Sequence, residues 1–123
     1  MPTPQQVVEL VTRFENNFNT GDLDALMNAM TEDTVFEHIA PEGASFGRHE
    51  GQDAVRAVWA SLPQHFPGAH FQVDDIFATE DRCTCRYTMS FNGPDGSRVS
   101  ARGVDVFRIR DGRIAEKLTY MTL

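Results

Sequence analysis

Gly103-Val104-Asp105-Val106-Phe107-Arg108-Ile109 reads as a β-strand with a carboxylate at its centre. Side chains alternate along a strand, so Ala101, Gly103, Asp105, Phe107 and Ile109 share one face. Arg102, Val104, Val106 and Arg108 take the other. An acid on the face that carries Phe107 and Ile109 is costly unless it is paired, hydrogen-bonded or protonated. Chains tolerate that cost where chemistry or ligand binding needs it. Asp105 is therefore expected to line an enclosed pocket, with the small Ala101 and Gly103 leaving room beside it. The plainer alternative is that Asp105 pairs with a buried partner and only fixes the sheet.

Downstream, Asp111-Gly112 is a hairpin signal, and Ile114 to Met121 forms a last strand. Upstream, Asn92-Gly93-Pro94-Asp95-Gly96 is a strong turn. Before it, Cys83, Cys85, Tyr87, Met89 and Phe91 alternate as a strand, as do Phe71, Val73, Asp75 and Phe77. The first half has a helical period instead. Thr3, Pro4 and Gln6 form a capping box, followed by Val7, Leu10, Val11, Phe14 and Phe18. Asp22 caps a shorter helix with Leu23, Leu26, Met27 and Met30, and a short strand Val35–Ile39 follows. After a loop with Pro41, Gly43 and Gly47, a third helix carries Val55, Val58, Trp59 and Leu62. Helices first and a meander of strands afterwards predict an α+β fold.

A chain of 123 residues is expected to be a single domain, 1–123, with one core. The formal charge of -7 and the scattered eleven basic residues argue against nucleic acid and anionic membrane as partners. No apolar run approaches the ~18 residues of a membrane span, and no secretory signal is visible at the N-terminus. Cys83 and Cys85 are read as buried small hydrophobes, which suits a reducing, cytoplasmic setting. His49, His65 and His70 lack metal-ligand spacing, and no phosphate loop, nucleophile elbow or dinucleotide fingerprint is present. Neither metal nor cofactor is expected.

Four stretches carry a family resemblance: Asn19–Leu26, Thr31–His38, Gly51–Arg56 and Val104–Ile114. In this order and spacing they resemble the nuclear transport factor 2-like superfamily, and within it the SnoaL-like group. The resemblance implies a cone-shaped roll of three N-terminal helices packed on a strongly curved, mainly antiparallel sheet. It also implies an apolar pocket inside the cone and often a homodimer formed through the sheet. The superfamily spans isomerases, dehydratases, cyclases, epoxide hydrolases and non-enzymatic carriers, so fold alone does not select a reaction.

Position by position, the steroid isomerases of that superfamily place their general base where this chain has His38. Their oxyanion donors fall at Phe14 and Asp105. The polyketide cyclases and limonene epoxide hydrolases carry an acid where this chain has Thr119. The expected catalytic pair is thus His38 and Asp105, with Glu37 in reserve should a bulge exchange the faces. Phe14, Phe18, Phe36, Trp59, Tyr87, Met89, Gly103, Phe107 and Thr119 are expected to line the pocket. The partner would be a small, largely apolar molecule. Two activities fit: cofactor-independent proton transfer on a carbonyl compound (an isomerase or lyase), and non-catalytic carriage or a dimeric scaffold.

Overall fold

The computed structural model describes residues 2–41 and 45–122. Helix α1 (Pro4–Thr20) starts on the capping box, with Gln6 N–H donating to Thr3 Oγ1 and Thr3 N–H to Gln6 Oε1. It stops at Gly21, whose φ of 71° a side chain would resist. Helix α2 (Leu23–Asn28) is capped by Asp22. Strand β1 (Met30–Ile39) and the short strand β2 (Gly47–Glu50) precede α3 (Gln52–Ala60) and the single turn α4 (Leu62–His65). Strands β3 (His70–Ala78), β4 (Arg82–Asn92), β5 (Arg98–Arg110) and β6 (Arg113–Met121) complete the chain.

The six strands form one curved, unclosed sheet in the order β2-β1-β6-β5-β4-β3. Strands β1 and β6 run parallel, and every other neighbouring pair is antiparallel. The hairpin between β5 and β6 uses two residues at positive φ, Asp111 at 54° and Gly112 at 73°, the geometry that matches strand twist. Irregularities in β1, β3 and β5 interrupt the ladders. Such bulges increase local twist and help a sheet curl around helices. Among the described residues no helix is long and apolar enough to cross a membrane.

Three local expectations change. Strand β1 begins at Met30 rather than Val35, because Met30 pairs with Ile114 across a register shift. The loop after Pro41 contains β2, which pairs with Val35–His38. In β3 the shift between Val73 and Asp75 reverses the alternation, so Ile76 packs against the core and Phe77 is 63% exposed. The expected residue Gly43 lies outside the described residues.

The helices cover the concave face. Val7, Val11 and Phe14 of α1 meet Val55 and Trp59 of α3, and Cys83, Cys85, Phe107 and Ile109 of the sheet. Phe14 sits at the centre, edge-on to Phe107 at 5.9 Å and to Trp59 at 5.6 Å. Strand alternation holds through β5: Ala101, Gly103, Asp105, Phe107 and Ile109 all face inward.

Candidate functional site

Asp105 is 1% exposed and opposes Thr119 on β6. The Thr119 hydroxyl donates to Asp105 Oδ1 at 2.6 Å. Lys117, two residues before Thr119 and therefore on the same face, donates from Nζ to Thr119 Oγ1 at 2.9 Å. Its Nζ also lies 3.4 Å from Asp105 Oδ2, and Lys117 is only 6% exposed. Three rings surround the ammonium, with centroids at 4.9 Å for Phe36, 5.4 Å for Phe18 and 5.8 Å for Trp59. Aromatic faces stabilise a cation, so the box and Asp105 together offset the cost of burying this charge.

A second acid enters from the helix. Glu15 follows Phe14 on α1 and is 2% exposed. Burial pushes its carboxyl well above the ordinary range, the Asp105 charge and a hydrogen bond to Asp105 add to the rise, and Lys117 opposes it. A carboxyl-to-carboxyl hydrogen bond needs a proton, and the raised pKa of Glu15 favours that side. The cluster thus sets two carboxyl groups beside the Lys117 amine in an apolar surround.

His38 completes the site from β1. The Phe46 N–H donates to its Nδ1 at 3.1 Å. Burial lowers the imidazole pKa, Lys117 lowers it further, and Asp105 acts the other way. A neutral ring whose Nδ1 accepts must carry its proton on Nε2. Glu15 Oε1 and His38 Nε2 are the buried side-chain polar atoms with no partner among the described residues.

Both residues border one cavity of about 40 Å³, room for roughly two or three waters. Phe18, Phe36, Phe46, Trp59, Leu62, Phe66, Phe71, Tyr87, Met89 and Met121 form most of its wall, with Asp105, Lys117 and Thr119 at the polar end. Expected residues His38, Asp105, Phe18, Phe36, Trp59, Tyr87, Met89 and Thr119 all lie on this wall. Phe14 and Phe107 do not; their rings pack on each other in the core. Gly103 leaves no open room, because the Tyr87 ring fills the space above it. A methyl group there would stand 2.4 Å from Tyr87 Oη and Cζ. Gly103→Ala should therefore push this ring toward the cavity and cost about 1–3 kcal/mol in urea unfolding. A variant as stable as the parent would show that the ring swings freely.

The geometry also revises one role. His38 was expected to accept a proton, but its lone pair is taken by Phe46, and the nitrogen left free is a donor. Glu37 lies on the opposite face, half-exposed and paired with Arg48. Glu15 and Lys117 are missed by the sequence reading, though a signal exists for each. Glu15 falls four residues after Val11 and three before Phe18, on the apolar stripe of α1. Lys117 alternates into the sheet with Ala115 and Thr119. Cys83 is pushed up to about 12 and Cys85 also up, both by burial first, so neither thiol is an active nucleophile. No group of three or more metal-ligating side chains occurs among the described residues.

Helices packed on a curved, unclosed mixed sheet form the α+β cone of the nuclear transport factor 2-like proteins. The chain belongs to the SnoaL-like domain family, whose pattern it matches over residues 11–117. It is similar to a solved NTF2-like protein of unknown function from Mesorhizobium loti, with 31% identity and a TM-score of 0.79 over 100% of this chain and 96% of that one. A candidate SnoaL-like polyketide cyclase from Jannaschia sp. CCS1 has 20% identity and a TM-score of 0.83, covering 99% and 89%. An epoxide hydrolase of the LEH-like type from M. tuberculosis has 24% identity and a TM-score of 0.78, covering 98% and 85%. The last two likenesses are of fold. Among curated proteins none is a significant match.

Proposed function

We propose that the cavity binds a small, largely apolar molecule by one oxygen atom, and that the cluster moves a proton on a carbonyl compound without a cofactor. One observation carries this reading: Glu15 and His38, which each hold a buried polar atom without a partner among the described residues, line the same apolar cavity. Unpaired buried polar groups cost about 1–3 kcal/mol each, and function is a usual reason to retain them. Relatives whose names refer to polyketide cyclisation and epoxide hydrolysis accord with a small oxygen-bearing substrate.

In this reading His38 Nε2–H donates to the carbonyl oxygen, a role suited to a neutral imidazole. The carboxyl pair holds one proton and takes a second from the carbon beside the carbonyl. The electron pair left behind moves to the oxygen, and Lys117 balances the negative charge that develops. Return of the proton at another carbon completes an isomerisation. Proton transfer of this kind typically contributes ~10²–10⁴-fold.

The second reading, a non-catalytic carrier, has its own support. Both Asp105 oxygens are already engaged by Thr119 and Lys117. Native mass spectrometry of the purified protein, followed by NMR of any retained ligand in D₂O, separates the two. Deuterium should enter beside the carbonyl, and Asp105→Asn or His38→Phe should slow entry by about 10²-fold or more. A retained ligand that never exchanges would leave the carrier.

The proposal includes a homodimer. Phe77, Thr84, Val106 and Leu118 form a continuous row on the outer face of the sheet, beside Val104 and exposed Tyr120. Sedimentation as a monomer at tens of micromolar would remove this part. A reducing, cytoplasmic setting rests on the free, buried Cys83 and Cys85.

A further inference from the structure

The two free polar atoms differ in kind. Glu15 spends one oxygen on the hydrogen bond it shares with Asp105, and its other oxygen is an acceptor with no donor among the described residues. His38 spends Nδ1 on the Phe46 N–H, and its Nε2–H is a donor with no acceptor among the described residues. The residues that carry this donor and this acceptor line one cavity, with Phe18, Phe36, Trp59, Tyr87 and Met89 in its wall.

We propose that this cavity selects a neutral hydroxyl group on a small apolar body: a phenol, an enol or an alicyclic alcohol. The hydroxyl accepts from His38 Nε2 and donates to Glu15. This inference rests on reading the cavity as a binding site, and it names the chemical class that the site prefers. A ketone or ether oxygen only accepts, so it satisfies His38 and leaves the Glu15 oxygen desolvated and unpaired. A carboxylate also brings no donor, and it places a second negative charge near Asp105. A hydroxyl makes the same two bonds that a water would make there. Replacing such a water therefore loses no hydrogen bond and adds apolar contact. For a carbonyl substrate, the enol is then held more tightly than the keto form. The interconversion needs no co-reactant: a C–H bond breaks and an O–H bond forms.

Phenol, anisole and acetophenone have similar bodies and differ in this feature. Each is larger than the void of about 40 Å³ and enters only as the aromatic wall yields. Their affinities for the full chain can be measured at pH 7 by calorimetry or ligand-observed NMR. Phenol should bind about tenfold tighter than either of the others, or more, the size of one unmet buried hydrogen bond. Glu15→Gln should keep that preference, since an amide can donate to Asp105 and still turn its oxygen to the cavity. Glu15→Met should reduce the preference to within about twofold, with circular dichroism reporting the fold. If that variant does not fold, His38→Phe removes the donor instead: all three compounds should then bind more weakly while phenol stays about tenfold ahead, and loss of the preference there would overturn the selection. Equal binding of the three compounds by the parent protein overturns hydroxyl selection but leaves a binding cavity. Full preference in a folded Glu15→Met also overturns it. No saturable binding of any of them, by a protein that retains nothing on purification, removes both the selection and the site.

Discussion

Asp105→Leu is expected to lower the free energy of unfolding by about 3–5 kcal/mol, because it strands the Lys117 ammonium in the protein interior. Lys117 is 6% exposed, and its ion-pair partner among the described residues is Asp105. Thr119, which accepts a hydrogen bond from Lys117 and donates one to Asp105, would lose its acceptor as well. Glu15 is positioned to surrender its proton and replace part of the missing charge, which places the variant toward the lower end of that range. Asp105→Asn should cost less, since the amide oxygen still accepts from Thr119. The decisive partner is Lys117→Met. A buried pair replaced as a unit by apolar side chains is often neutral or stabilising. The double variant Asp105→Leu/Lys117→Met should therefore recover most of the loss, and the four urea curves form a mutant cycle with strong coupling. Additive losses, or an Asp105→Leu variant within 1 kcal/mol of the parent, would contradict a buried ion pair at the end of the cavity.

Glu15→Gln should change how stability depends on pH more than it changes stability in acid. The folded-state pKa of Glu15 is raised by burial, then by Asp105, from an ordinary value near 4.5. In the window between 4.5 and that raised value, the native protein keeps a proton that the unfolded chain has released. Stability contributed by the group is thus complete below 4.5 and falls as pH rises, by at most about 1.4 kcal/mol per pH unit for one proton. Glutamine does not titrate, so the variant should gain on the parent steadily from weak acid toward alkaline pH. Urea midpoints of both proteins from pH 4 to pH 9 measure this difference, in which the other titrating groups largely cancel. Parallel curves across the range would mean that Glu15 ionises as readily in the fold as in the unfolded chain. His38 contributes with the opposite sign: its lowered pKa makes stability fall as pH drops below about 6.5.

Periodicity made most of the fold legible. The helical stripe of α1 and the alternation of β4, β5 and β6 depend on neighbours a few residues apart, and these place Asp105 inside without further help. Strand β2 and the early start of β1 were not legible, since each exists only through a partner: β1 for β2, and Ile114 for Met30. The reversal in β3 has the same origin, a register shift against β4 that local alternation does not reveal.

The candidate site divides along the same line. Asp105, His38 and the aromatic wall could be named from residue type and position, because a polar group on an apolar face is visible in one dimension. Whether an atom is spent or free is a different matter. It depends on Phe46 reaching His38 Nδ1, on Lys117 and Thr119 converging on Asp105 from the next strand, and on Glu15 meeting it from a helix ninety residues away. Hydrogen bonds and charge pairs act over a few ångströms in space and are indifferent to separation along the chain. The sequence alone therefore determined that an acid would be buried in a cone; only the tertiary structure decided which groups meet it there.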